Sequence, residues 1–182
     1  MKVRFALIVA VAAALLALAA TPAVAGNTKG SFLLVMEAPN FGRAPNGDRV
    51  EVTGAGSFSL HPKSVTASGA FTHLDPAGNP RGGGTWTATQ LLSFNFYGCR
   101  FIPALGVDLG DDNLCGGAVK MAVVLDTPGG QHQGVLTVFC IVGPHAPTSH
   151  NDPSEEGVTL NVPGVINFNH SDTGDNIWVR TG

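Results

Sequence analysis

Beyond residue 25, apolar and β-branched residues come in short runs separated by turn-forming clusters, and no stretch sustains a helical period. The runs predict strands near 32–36, 49–53, 57–60, 64–72, 84–89, 91–97, 119–125, 134–142, 158–162, 165–169 and 177–180. Leu92, Phe94 and Phe96 alternate with Ser93 and Asn95, which assigns the two sets to opposite faces. Val135 to Val142 is apolar on both faces apart from Thr137, the pattern of a central strand covered on both sides. Asp126-Thr127-Pro128-Gly129-Gly130 predicts a hairpin between two of the strands. Gly82-Gly83-Gly84 precedes a strand rather than a helix, so it lacks the helix N-terminus of a phosphate cradle and is expected to be a turn or bulge.

Three segments share one local chemistry: Gly56-Ser57-Phe58-Ser59, Gly69-Ala70-Phe71-Thr72 and Gly84-Thr85-Trp86-Thr87. Their spacings of 13 and 15 residues match a strand plus its turn, so the aromatics are expected on one face of neighbouring antiparallel strands, available for cross-strand pairing. The fold class that follows is all-β: an antiparallel β-barrel or β-sandwich of about ten short strands, preceded by a signal-peptide helix.

That helix is expected because Lys2 and Arg4 precede an unbroken apolar run from Phe5 to Ala20, then Thr21-Pro22 and the small-residue triplet Ala23-Val24-Ala25. At about 16 residues the run is short of the roughly 20 that cross a bilayer, so no transmembrane anchor is expected. Cleavage after Ala25 divides the chain into a signal peptide, 1–25, and a single all-β domain, 26–182. The signal takes two of the ten basic residues and none of the thirteen acidic ones, so the remaining 157 residues carry a formal charge of −5. That balance, with scattered Lys and Arg, offers no footprint for nucleic acid.

The three cysteines, Cys99, Cys115 and Cys140, all follow the signal, where export permits a disulfide and an odd count leaves one thiol over. A Cys99–Cys115 bridge would restrain the Gly-, Asp- and Pro-rich segment between them, and Cys140, inside an apolar run, suits a small buried hydrophobe. Two long loops stand apart. Residues 103–117 carry Asp108, Asp111, Asp112 and Asn113, which approach a calcium loop in composition but not in EF-hand spacing. Residues 143–157 carry His145, His150, Asp152, Glu155 and Glu156; the first four are metal-ligand candidates, although Pro144, Pro147 and Pro153 rule out a zincin helix. Both loops are otherwise read as solvated. There is no Gly-x-Ser-x-Gly element and no supported Cys–His arrangement, so no catalytic residue and no cofactor is assigned.

Gly84-Thr85-Trp86 is similar to the glycine-x-tryptophan element of lipocalins and avidins, whose barrels hold small hydrophobic molecules, although there it lies on the first strand. The wider set Gly84-Thr85-Trp86-Thr87-Ala88-Thr89, Leu91-Leu92-Ser93-Phe94, Tyr97-Gly98, Cys140-Ile141-Val142-Gly143 and Glu156-Gly157-Val158 resembles uncharacterised secreted bacterial all-β proteins. That resemblance implies export and β structure and no specific activity. The expected function is a secreted, non-enzymatic β module that binds a surface, an extracellular partner or a small hydrophobic ligand. The alternatives are a secreted hydrolase or metal-dependent enzyme using the 143–157 loop, and a structural or assembly protein of the cell exterior in which Cys140 or an edge strand links copies.

Overall fold

The computed structural model describes residues 30–100, 114–147 and 156–182. The predicted signal peptide, most of the 103–117 loop, and His150, Asp152 and Glu155 lie outside the described residues. Among the described residues nine strands form one antiparallel sheet: β1 (Ser31–Arg43), β2 (Arg49–Leu60), β3 (Lys63–Leu74), β4 (Pro80–Cys99), β5 (Leu114–Thr127), β6 (Gly130–Cys140), β7 (Gly157–Val162), β8 (Ile166–Phe168) and β9 (His170–Arg180). There is no helix among the described residues. The spatial order is β4-β3-β2-β1-β9-β5-β6-β7-β8, and β4 also pairs with β5, which closes β1, β2, β3, β4, β5 and β9 into a ring of six strands. β6, β7 and β8 continue the sheet outward from β5 and fold back over β1 and β9.

The ring closes because β5 serves two partners along one edge. Leu114 and Cys115 pair with Val179 and Trp178 of β9, and from Gly117 onward the same edge pairs with β6. Gly116 and Gly117 mark the branch, where backbones and rings crowd too closely for a side chain. A Cβ on Gly116 would lie 2.0 Å from the Val142 carbonyl oxygen, and one on Gly117 would lie 2.3 Å from the Asn95 carbonyl oxygen and 2.8 Å from both Phe94 and Trp178.

Strands are fewer and longer than the hydrophobic pattern predicts. Segments 49–53 and 57–60 are one strand, β2, and segments 84–89 and 91–97 are parts of the 20-residue β4. Register shifts between Ala88 and Gln90, Leu91 and Ser93, and Phe96 and Gly98 break the period of two along β4 without ending it. One shift turns Leu91 inward at 1% exposure and leaves Leu92 on the outer face beside Ser93, whereas Phe94 and Phe96 face the core as expected. β1 likewise runs through Pro39, which falls where its registers with β2 and β9 both slip. Proline is tolerated at such a bulge because no ladder donor is missed. Asn40, fully buried there, donates from Nδ2 to the Ala38 carbonyl at 2.9 Å and accepts from Asn176 Nδ2 at 2.6 Å. The Gly82–Gly84 segment is not a turn: it is paired strand, opposite His73, Thr72 and Phe71 of β3, and the register slips just before it, leaving Arg81 between the Leu74–Pro80 and His73–Gly82 pairs.

The three glycine–aromatic segments do fall on successive strands with their aromatics toward the core, but the aromatics are staggered. Phe58 opposes Val65, Phe71 opposes Val52 and Gly84, and Trp86 opposes Gly69 and Leu125. Trp86, 1% exposed, lies against Gly54 and donates its Nε1–H to the Thr53 carbonyl at 2.9 Å. The aromatic cluster forms elsewhere, from Phe32, Phe58, Phe94, Phe96 and Trp178, with neighbouring ring centroids 4.9 to 6.1 Å apart. These rings fill the end of the ring that holds the start of β1 and the finish of β9. The Cys99–Cys115 disulfide, between register partners of β4 and β5, fastens the closing seam at the same end. A buried disulfide fits an oxidising, extracytoplasmic setting. Ser31 and Thr181 exchange backbone hydrogen bonds with each other's end of the fold, Ser31 N–H to Gly182 and Thr181 N–H to Ser31.

Candidate functional site

The opposite end of the fold is built from turns and apolar side chains, and it is open. In an up-and-down succession every second turn lies at the same end, so the turns after β1, β3, β5 and β7 gather there. Gly47 in the first abuts Pro76 in the second, and Pro128-Gly129 forms the predicted hairpin between Thr127 and Gly130. Beneath them lies a cavity of about 410 Å3 that opens to solvent. Its floor is the buried core itself: Val50, Leu125, Leu160 and Phe168, each no more than 3% exposed, with Phe71 and Ile166 half-buried above them. The polar groups sit toward the rim, where Arg81 and His132 are exposed, together with Val165, an aliphatic side chain 64% exposed.

His73 joins the floor to the rim. It follows Phe71 by two residues on β3, so it shares that inward face, opposite the fully buried Val50. Its Nε2 lies 2.8 Å from Asp48 Oδ2, and its ring stands edge-on to Phe168 with centroids 5.5 Å apart. The hydrogen bond from His73 holds the Asp48 carboxyl below its ordinary value; burial opposes this, while Asn46 and the charges of His73 and Arg81 reinforce it. The backbone of Asp48 is fixed by its N–H bond to Asn46 Oδ1 at 3.1 Å. Gly82 adds space, since a Cβ there would meet nothing within 4 Å. The arrangement can take an apolar body against the floor and a polar or anionic head between His73, Arg81 and His132.

Trp86, in the glycine-x-tryptophan element, does not line this cavity; three residues beyond Gly83 on the same strand, it is 1% exposed and packed in the core. Among the metal-ligand candidates His145 is described; it is exposed, and its N–H donates to the Tyr97 carbonyl at 2.9 Å. No group of three or more metal-ligating residues occurs among the described residues. Glu156, which the sequence places in the same loop, turns inward. Its carboxylate accepts from Ile141 N–H at 2.7 Å and Asn176 N–H at 2.8 Å, and burial pushes its pKa up despite those bonds. Cys140 is the free thiol, as expected, and it is fully buried beside the Asn176 and Cys115 carbonyls, so it is closed to a bridge between copies. Burial also drives its pKa far above the ordinary thiol value, which leaves it an inert thiol.

None of His73, Asp48, Arg81 or His132 was legible as a site from residue type alone. The one usable signal was His73, one residue past the predicted 64–72 strand and two after Phe71, where continued alternation turns it inward. Comparison of the chain with family models, curated proteins and solved structures finds no match.

Proposed function

We propose that this protein is a secreted, non-enzymatic binding module, a closed barrel-like β domain exported by its N-terminal signal, that takes a small amphiphile into the open end of its ring. The observation that carries the reading is the division of the cavity into a buried apolar floor and a rim that bears the Arg81 guanidinium and the His132 imidazole. Its volume of about 410 Å3 falls in the range of small-molecule sites. A linear carboxylate with a medium apolar chain matches both parts: the chain covers Val50, Leu125 and Phe168, and the carboxylate meets Arg81 and His132.

Thermal unfolding with decanoate and with decane-1-sulfonate is the direct test. Ligand at a hundred times its Kd stabilises the folded state by about 2.7 kcal/mol, so the melting temperature should rise with concentration. Val165→Glu places a carboxylate at the rim of an exposed position and should abolish the rise without lowering the melting temperature of the free protein. Absence of any ligand-dependent shift, or a shift unchanged in Val165→Glu, ends this reading. A transition metal retained through dialysis and released by His145→Ala would favour the metal-dependent enzyme on residues 143–157 instead.

A further inference from the structure

We propose that the outer face of β4 to β8 is a second binding site, a groove for an acidic oligosaccharide, separate from the amphiphile cavity. The groove encloses about 590 Å3 and crosses five consecutive strands. Register sets its side chains in rows. Ser93, Lys120, Thr137 and Thr159 are successive partners from β4 to β7, and Asn161 and Asn167 are partners on β7 and β8. At about 4.8 Å between strands the first row extends about 14 Å, the reach of an extended chain rather than of a single small molecule.

The lining chemistry selects the ligand. Asparagine is depleted in strands, yet Asn95, Asn161 and Asn167 all stand in strands on this one face. Solvated sheet faces are commonly covered by charged side chains; here, among the described residues, the lining holds no carboxylate and a single cation, Lys120, which has no ion-pair partner. Carboxamides and hydroxyls both donate and accept, as do the hydroxyls of a sugar chain, and one ammonium among them complements one carboxylate. Phe139, half-buried on β6 opposite Ala118, offers an apolar face to the C–H side of a sugar ring. A lipid chain here would leave the amides without partners, and a nucleic acid would need several cations.

Isothermal titration of the whole chain with a tri- or tetragalacturonate, and with a neutral hexose oligomer of equal length, tests the assignment. The uronate should bind about tenfold more tightly than the neutral chain, a difference that Lys120→Gln removes. Asn161→Ala with Asn167→Ala, both at exposed positions and checked for fold by circular dichroism, should weaken binding of both oligomers about tenfold or more. Saturating decanoate should leave the uronate affinity unchanged, so failure of the cavity reading and failure of this one are distinguishable. No heat with either oligomer, equal affinity for the two, or uronate binding indifferent to Lys120→Gln or to the Asn161/Asn167 pair would overturn the proposal.

Discussion

Replacing Gly54 with alanine tests whether glycine on β2 is required for Trp86 to lie against the sheet. A Cβ at this position would fall 2.5 Å from Cζ2 of Trp86 and 2.6 Å from the Ser68 carbonyl oxygen. Carbon atoms rest at about 3.5 Å or more, so the indole must retreat by roughly 1 Å or β2 and β3 must part. Such a retreat disturbs the buried bond from Trp86 Nε1 to Thr53. The lost bond costs about 1 kcal/mol and the overpacking about 1–3 kcal/mol. Alanine recovers about 0.4–1 kcal/mol by restricting the unfolded chain, so the net destabilisation is about 1–3.6 kcal/mol. The indole should carry much of that cost. Trp86→Phe removes the colliding carbon, and in its background Gly54→Ala should cost at least about 1 kcal/mol less, with the Ser68 contact accounting for the remainder. Urea unfolding of the four proteins, followed by circular dichroism and by tryptophan fluorescence, which is Trp178 alone in the Trp86→Phe pair, yields the cycle if the slopes agree. A Gly54→Ala protein within about 0.5 kcal/mol of the parent, or an equal cost in both backgrounds, would refute the steric account.

Cys99→Ala with Cys115→Ala should lower stability by about 3 kcal/mol in denaturant melts, because the bridge spans 16 residues and holds the β4–β5 seam. Thiol titration of the oxidised parent should find no reactive group in native protein and one after unfolding; a native protein whose Cys140 reacts promptly would contradict its burial. For Glu156 the folded pKa lies above its ordinary 4.5, so its stabilising contribution is full below that value and is lost as pH rises through the raised one. The stability difference between the parent and Glu156→Gln should therefore favour the parent more at acid pH than at neutral pH. A difference flat from pH 4 to pH 8 would show that the buried carboxyl ionises as it does in the unfolded chain.

Strand chemistry was legible wherever two-residue periodicity held: Phe94 and Phe96 face the core, the Pro128-Gly129 hairpin forms, and Cys99 pairs with Cys115. Legibility failed where the register slips. The predicted strand 32–36 stops short of Pro39 and Asn40, and only the amide of Asn176, 136 residues away, shows why β1 continues through them. Gly82 to Gly84 were expected to form a turn or bulge, whereas Gly84 serves a backbone approach in which a Cβ would lie 1.9 Å from the Asp126 carbonyl oxygen. The long β6 strand was expected to be covered on both faces, but Val135, Thr137 and Phe139 line the outer groove, since nothing in a strand's own sequence says what its second face meets. The candidate cavity draws on β2 through β8, so its members come together by topology and not by any local spacing.

The pairing of β1 with β9 places Ser31 beside Thr181 at the aromatic, disulfide-fastened end, while the cavity opens at the other. A tether or tag attached at either end of the β fold therefore leaves from the pole opposite the mouth and holds the mouth outward. It also makes the chain a candidate for circular permutation: a short linker across that gap, with new ends cut in the exposed Pro76–Asn79 turn, would keep every register of the closed ring while giving the molecule a different first strand.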